Sequence, residues 1–339
     1  MKDKRRKRRC MKRITKNFSH RGTIPLLLLG LCLLVSACGS AEGSKKLRIV
    51  TTTFPLYDWA RNVAGESVDV EVSFLQDTGV DLHSYQPTAA DMVKIASCDL
   101  FIYVGGESDR WVADALKGGT NEKRRCLNLM EILGEAALEE EEKEGMEEEH
   151  GHGGEAGEEE AERDEHVWLS VKNASLFTAK IAEALAEIVP DGKDAFRANA
   201  AAYQAKLDAL WQDYEAAAGA ANTKTLLFGD RFPFLYLTKQ LGLDYYAAFR
   251  GCSAESEASF ETIVFLAGKA DELGLKVILK TESGDGKLAE TIRQTSRTKD
   301  QTILTLDSLQ SVTRAKADAG ASYLQVMQSN LEVLKEAMK

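Results

Sequence analysis

Short apolar segments alternate with helix-period segments along most of the chain. Runs rich in β-branched and apolar residues predict strands, and apolar residues recurring at helical spacing predict helices. Predicted strands occupy 47–53, 68–75, 99–105, 225–228, 245–249, 277–280 and 302–306, and predicted helices occupy 87–96, 258–273, 286–296 and 320–338. Phe54-Pro55 is interpreted as a turn after the first strand. This alternation favours an α/β fold with mostly parallel sheets covered by helices.

One long helical stretch separates the two halves of this pattern. Its apolar stripe consists of Phe177, Ile181, Leu185 and Ile188, and after Pro190-Asp191-Gly192 it continues through Phe196, Tyr203, Leu207, Leu210 and Tyr214. A helix of about 28 residues would span about 42 Å at the usual rise per residue, which is long enough to bridge two lobes. The sequence therefore predicts an N-terminal lobe at 47–190, a linking helix at 191–221 and a C-terminal lobe at 222–339.

The first 37 residues have the pattern of a secretory signal. A basic segment precedes an apolar run at 24–35, which is shorter than the roughly 20 residues of a membrane span and typical of a signal peptide. The following Leu34-Val35-Ser36-Ala37-Cys38-Gly39 resembles the lipobox of bacterial lipoproteins. That resemblance implies cleavage before Cys38, lipidation of Cys38, and anchoring on the extracytoplasmic face of the cell membrane. Residues 38–46 are interpreted as a flexible tether.

Charge is distributed very unevenly along the chain. The 43 basic and 53 acidic residues give a net charge of −10, which argues against nucleic acid as a default partner. Residues 139–165 contain 15 acidic and two basic residues, together with His150 and His152. Such a run is expected to be disordered because its charges repel one another. It is either a solvated insertion or a loop that captures metal weakly through His150 and His152.

Three cysteines remain after the signal and the lipidation site. Cys98 precedes one apolar run and Cys126 precedes another, while Cys252 lies in the second half. If the two runs form neighbouring strands, a disulfide between Cys98 and Cys126 is one hypothesis. Spacing alone does not decide it.

Two histidines carry the candidate chemistry. His83 lies in the predicted loop at 76–86, and His166 follows the acidic run directly. Imidazole is a favoured ligand for zinc and neighbouring transition metals. Two histidines this far apart in sequence are also compatible with ordinary surface positions, so further motifs are needed to support a metal site.

Those motifs resemble the solute-binding proteins of ABC importers for zinc and manganese. The similarity covers nearly the whole mature chain and rests on TTTFPL at 51–56, HSYQPT at 83–88, DLFIYVG at 99–105, HVWL at 166–169, KLAETI at 287–292 and the Ser322-Tyr323 start of the last helix. The resemblance implies two α/β lobes joined by one rigid helix, with a divalent metal held in the cleft. It also implies delivery of that metal to an ABC permease by a monomeric protein.

The resemblance also implies a set of metal ligands. His83 and His166 match two family ligands of the first lobe. The third family ligand would fall at Gly229, which has no ligating side chain, so the adjacent Asp230 is considered instead. The family's carboxylate ligand maps to Asp307, with Glu282 and then Cys252 as lesser candidates, and the sequence leaves these alternatives open.

Zinc is the expected metal, with manganese as the alternative. The family's zinc-selective branch commonly carries a His-rich acidic loop, which 139–165 resembles. The alternative functions are a secreted zinc metalloenzyme using Glu165 beside His166, and a surface adhesin by family association alone. The absence of a His-Glu-x-x-His motif argues against the enzyme. The sequence therefore indicates a binding protein and not an enzyme.

Overall fold

The computed structural model describes residues 46–66, 68–147, 162–253 and 257–339. The first lobe contains β1 Leu47–Thr51, α1 Phe54–Ala64, β2 Val70–Phe74, α2 Ala89–Ser97, β3 Leu100–Tyr103, α3 Val112–Lys117, β4 Arg125–Asn128, α4 Leu129–Leu133 and α5 Val171–Ile188. The long helix α6 is Lys193–Gly219, and the second lobe contains β5 Thr225–Phe232, α7 Leu235–Leu241, β6 Asp244–Arg250, α8 Phe260–Glu272, β7 Val277–Lys280, α9 Lys287–Thr295, β8 Thr302–Thr305, α10 Arg314–Asp318 and α11 Tyr323–Ala337. None of the helices in these ranges is long and apolar enough to span a membrane.

Each lobe is built on a four-stranded parallel sheet. The strand order is β2-β1-β3-β4 in the first lobe and β6-β5-β7-β8 in the second, and all pairings are parallel. The predicted fold class is therefore confirmed. In such sheets, binding residues collect in the loops that follow the carboxyl ends of the strands, and this places the loops after β2 and β6 at the functional edge.

The long helix α6 joins the lobes through a shared core. It packs against α1 and α5 of the first lobe and against α11 of the second. Asp58 of α1 is buried and accepts hydrogen bonds from the Tyr203 hydroxyl of α6 (3.0 Å) and the Tyr323 backbone N–H of α11 (3.2 Å). Because one carboxylate connects three helices, the two lobes are tied together on the side of the molecule that α6 covers.

The segment interpreted as a turn at Phe54-Pro55 is instead the start of helix α1. Proline is tolerated in the first turn of a helix because no intrahelical partner is needed for a backbone N–H there. A similar boundary shift affects α2, which begins at Ala89 because Thr88 and Asp91 form a capping box. Both differences concern helix starts, where proline and capping residues have more than one interpretation.

The hypothesis of a disulfide between Cys98 and Cys126 is wrong for this structure. Cys98, Cys126 and Cys252 are all free. In the β3–β4 register, Cys126 lies opposite Phe101 and not opposite Cys98. The Cys98 thiol donates a hydrogen bond to the Ile95 carbonyl at 3.2 Å, so it is directed into the end of α2.

The prediction of disorder throughout 139–165 needs correction at both ends of that range. Glu139 and Arg163 form an antiparallel bridge, and the Glu140 N–H donates to the Glu162 carbonyl at 2.8 Å. The Glu147 N–H donates to the Ala248 carbonyl of β6 at 2.9 Å. Backbone pairing thus fixes both ends of the acidic run. The N-terminal part of the run, 139–147, reaches β6 of the second lobe. Residues 148–161 lie outside the described residues.

Candidate metal centre

His83 is held in a short 3₁₀ turn, Leu82–Ser84, in the loop after β2. Asp81 begins this turn, and its Oδ1 accepts a hydrogen bond from the His83 backbone N–H at 2.9 Å. On the ring, Nδ1 lies 2.8 Å from the Ser108 hydroxyl and 3.6 Å from a carboxylate oxygen of Glu165. These neighbours occupy the Nδ1 side of the ring and direct Nε2 towards the cleft.

His166 is completely buried and is held in a matching way. Asp164 Oδ1 accepts a hydrogen bond from the His166 backbone N–H at 2.8 Å and lies 3.2 Å from Nδ1. His166 Nε2 lies 3.2 Å from His83 Nε2. Metal-binding histidines usually donate their other ring N–H to a carboxylate or similar acceptor, which fixes the tautomer and the ring orientation. Both rings have this arrangement, with their Nε2 atoms facing each other.

Cys252 approaches the two histidines from the loop after β6 in the second lobe. One donor atom from each of His83, His166 and Cys252 lies within 4.8 Å of the other two. Within the described ranges, no other three His, Cys, Asp or Glu side chains come together in this way. The Cys252 backbone N–H donates to Glu140 Oε1 at 3.0 Å, so the acidic run holds the cysteine in place.

Burial and neighbouring charges both shift the pKa values of these three groups. Burial and the neighbouring His166 imidazole lower the pKa of His83 to about 3. Burial by itself lowers the pKa of His166, but the Asp164, Asp81 and Glu140 carboxylates together outweigh it, and the pKa of His166 lies above its ordinary value. Burial and then Glu140 raise the pKa of the Cys252 thiol well above its usual range. Binding of a cation by these groups requires both Nε2 atoms and the thiol to be deprotonated.

The three predicted carboxylate ligands accept hydrogen bonds from other residues of the second lobe. Asp230 accepts hydrogen bonds from the Thr281 N–H and hydroxyl, both at 2.8 Å, and lines a cavity of about 790 Å³ beside α9. Glu282 accepts from the Ser308 N–H at 2.7 Å and from the Ser308 hydroxyl at 3.0 Å. Asp307 accepts from the Leu309 N–H at 2.7 Å, and burial followed by repulsion from Glu282 raises its pKa to about 6. The structure does not bring these oxygens into the group around the histidines.

Gly229, the position where the resemblance implies a third ligand, is closed by packing. A Cβ added at Gly229 would lie 2.6 Å from the Ala289 Cα and 2.9 Å from its Cβ. Ala289 is a fully buried residue of α9. Because the contact involves helix backbone, no side chain fits at this position without movement of α9.

We expect Gly229→Ala to lower the free energy of unfolding by about 1–3 kcal/mol, as overpacking a dense core does. The measurement is urea denaturation of the metal-free protein. Gly268→Ala in α8 is the matched control, because a Cβ there meets nothing within 4 Å, and we expect it to be neutral or stabilising by about 0.5–1 kcal/mol. Equal effects of the two substitutions would show that α9 does not pack closely on Gly229.

The remaining predicted site residues lie outside the described residues, namely His150, His152 and Cys38. Glu165, considered as the base of a metalloenzyme, lies on the Nδ1 side of His83, and its Oε1 accepts the Ser108 N–H at 3.0 Å. This places Glu165 as a residue that orients His83. Sequence reasoning missed the roles of Ser108 and Asp164, although Asp164 lies only two residues before His166.

The cleft is held closed by contacts between residues near the two histidines and the second lobe. Trp168, two residues after His166, donates its indole N–H to the Ser308 carbonyl at 2.9 Å. Asp81 pairs with Arg231 at 3.3 Å, and the Leu82 N–H donates to Gln310 Oε1 at 3.3 Å. These contacts couple the position of each histidine to the separation of the lobes.

Comparison with known proteins gives consistent matches. The profile of the ZnuA family, described as zinc-uptake complex component A periplasmic, matches residues 49–337. The chain is 30% identical over 299 residues to the zinc-binding protein AdcA of Streptococcus pyogenes, covering 87% of this chain and 56% of that protein. It is 31% identical over 322 residues to the high-affinity zinc uptake system protein ZnuA of Bacillus subtilis, covering 92% of this chain and 97% of that protein.

The fold agrees with a solved structure among these relatives. The Zn(II)-bound ZnuA-like domain of Streptococcus pneumoniae AdcA matches with a TM-score of 0.67 at 29% identity, covering 86% of this chain and 99% of that domain. The chain spans little more than half the length of the AdcA relatives, at 56% and 60%. The match is therefore to the ZnuA-like part of those longer proteins.

Proposed function

The chain belongs to the family of the zinc-uptake complex component A, and we propose that it captures a zinc ion and delivers it to an ABC permease. The observation that carries this proposal is the pair of imidazoles in the cleft, whose Nε2 atoms lie 3.2 Å apart. A tetrahedral zinc ion with bonds of about 2.0–2.1 Å holds two nitrogen ligands about 3.3 Å apart. The spacing of the two Nε2 atoms is thus already close to that which zinc requires.

The position of the site between the lobes supports reversible binding. Two imidazoles come from the first lobe, while the second lobe closes over them through Arg231 and Ser308. A permease that favours separated lobes would weaken the coordination, because a binding partner shifts a conformational equilibrium only through its preference for one state. Release of zinc would then follow from docking, without any chemical step.

The location and partners form the finer part of the proposal. Cys38 would carry the lipid that anchors the protein on the extracytoplasmic face of the membrane, and two or more acyl chains make such anchoring stable. The folded lobes would act as a monomer that presents the closed cleft to the permease. Zinc is the proposed cargo, and manganese is the alternative cargo for the same site.

Metal analysis of untagged, full-length protein tests this proposal. We expect one zinc ion per chain in protein purified from cells, and tight rebinding after removal of the metal with a chelator. Competition titrations with manganese then establish which ion is preferred. Protein that stays metal-free at saturating zinc would refute the proposed function.

The acidic run offers a separate prediction about the rate of loading. Residues 148–161 contain six acidic residues, no basic residue and both His150 and His152. Deleting only 148–161 keeps Glu140, which holds Cys252. We expect zinc association to slow by about 10-fold at low ionic strength, because concentrated charge speeds the arrival of opposite charge, while the equilibrium affinity of the cleft stays unchanged.

Stopped-flow loading at low zinc measures this effect. The matched control replaces the six glutamates of 148–161 with glutamine and keeps His150 and His152, which separates attraction by charge from capture by imidazole. Raising the salt concentration should reduce the difference between native and deleted chains, because salt screens exposed charges. Identical loading rates at low salt would remove any role for the run in capture.

A further inference from the structure

We infer that Cys252 is the metal ligand supplied by the second lobe, so that zinc is held by His83 Nε2, His166 Nε2 and the Cys252 thiolate. This inference rests on the proposed function and specifies its donor set. On binding, the thiol loses its proton to solvent as the sulfur–zinc bond forms. The cysteine thus takes the place of the ligand that Gly229 does not supply.

The spacing of the three donors fits tetrahedral zinc. With zinc–nitrogen bonds of about 2.0–2.1 Å and a zinc–sulfur bond of about 2.3 Å, a tetrahedron places nitrogen and sulfur about 3.6 Å apart. The three donor atoms already lie within 4.8 Å of one another. A movement of about 1 Å by the Cys252 loop would therefore complete the geometry that the two imidazoles begin.

The surrounding backbone brings this loop against the histidines. A Cβ added at Gly251 would lie 3.1 Å from His166 Cε1 and 3.2 Å from its Nδ1, so the glycine lets the chain approach the imidazole ring. Glu140 accepts the Cys252 N–H and pairs with Arg250 at 3.7 Å. Close approach on one side and anchoring on the other hold the thiol at the cleft.

The packing of α9 explains why the second lobe uses this loop. The close contact between Gly229 and Ala289 excludes a side chain at the end of β5. Asp230, the next residue, already has both carboxylate oxygens engaged, with Thr281 and with the Arg231 N–H. β6 pairs directly with β5, so the loop after β6 is the neighbouring position from which a ligand can reach the cleft.

A thiolate donor has a consequence for the choice of metal. Soft thiolate ligands favour zinc, whereas manganese prefers oxygen ligands. The two imidazoles already favour zinc over manganese, and a thiolate strengthens that preference. Cys252 is therefore the second-lobe residue that adds to the preference for zinc, and its separation from the histidines on opening of the lobes removes the sulfur–zinc bond.

Cobalt(II) substitution of the full-length protein tests this assignment directly. Cobalt bound by a thiolate shows a sulfur-to-cobalt charge-transfer band in the near ultraviolet, which cobalt bound only by nitrogen and oxygen lacks. The control variant is Cys126→Ser, because Cys126 is an exposed cysteine of β4. We expect the native protein and this control to show the band. Cys252→Ser should lose it, and its zinc affinity should fall by at least about 10–100-fold.

Metal preference provides the second readout. The ratio of manganese to zinc dissociation constants should fall in Cys252→Ser and fall further in Cys252→Asp, which supplies an oxygen donor. A native protein that binds cobalt and zinc without the band, or a Cys252→Ser protein that keeps it, would overturn the assignment alone. A native protein that binds neither metal would overturn the proposed function together with it.

Discussion

Substitution of His83 by alanine is expected to lower the affinity for zinc by more than about 100-fold while leaving the fold intact. Loss of a residue that only orients a ligand already costs about 10–100-fold in metal affinity, and His83 supplies a donor atom itself. Although only 14% of the side chain is exposed, His83 lies in a short 3₁₀ turn outside the strands and long helices of the lobe, so we expect alanine to disturb the core little. Competition with a chelator of known zinc affinity measures the loss.

Thermal or urea unfolding gives an independent measure of the same effect. A ligand present at about 1,000 times its dissociation constant stabilises the folded state by about 4 kcal/mol. Native protein should show this stabilisation at saturating zinc, and His83→Ala should show almost none of it at the same concentration. Without metal, the two proteins should unfold at similar urea concentrations.

The acidic run provides the matched control for this substitution. His150→Ala combined with His152→Ala removes two imidazoles from the same chain, and we expect the affinity of the cleft to stay within about 2-fold of native, since neither belongs to the proposed donor set. If the double variant lost as much affinity as His83→Ala, the high-affinity site would lie in the acidic run. If neither variant lost affinity, the paired imidazoles would not hold the metal.

Most of the fold could be predicted from the sequence, because the patterns that indicate strands and helices lie within short stretches of the chain. Each strand is a short apolar run, and α6 shows an apolar stripe over nearly its whole length, from Phe196 to Ala218. The start of α1 differs from the predicted turn because Pro55 is equally compatible with a turn and with the first turn of a helix. Local patterns thus predicted which elements form, and less well where they begin.

The first-lobe side of the candidate site was also accessible, through motifs around His83 and His166. The second-lobe side was not, because its determinants are tertiary contacts. Whether Gly229 has room for a side chain depends on Ala289, which lies 60 residues later in the chain. Similarly, Asp307 and Glu282 have suitable chemistry, but their hydrogen bonds to the loop after β8 appear only in the folded chain.

Substitution of Trp168 by alanine is expected to cause the largest loss of stability, about 3–5 kcal/mol, as for other buried aromatic residues. Trp168 is completely buried, and its ring centroid lies 5.2 Å from that of His166. Its carbonyl accepts a hydrogen bond from the Tyr323 hydroxyl at 2.8 Å. The cavity left by alanine would therefore lie beside His166 and between the lobes.

Substitution by phenylalanine separates the hydrogen bond from the packing. Trp168→Phe keeps most of the ring but leaves the Ser308 carbonyl without the indole N–H, and we expect a loss of about 1–3 kcal/mol in urea denaturation of the metal-free protein. Trp211→Phe is the matched control, because within the described ranges the buried indole N–H of Trp211 has no hydrogen-bond partner. It should cost less than Trp168→Phe.

The same pair of variants tests whether contact between the lobes supports the metal site. Because Trp168 connects the segment that follows His166 to the second lobe at Ser308, Trp168→Phe should also weaken zinc binding, by roughly the 10–100-fold typical of residues that orient ligands. Trp211→Phe, on α6, should leave zinc affinity unchanged. Equal zinc affinities in the two variants would show that closure of the cleft at Ser308 does not contribute to holding the metal.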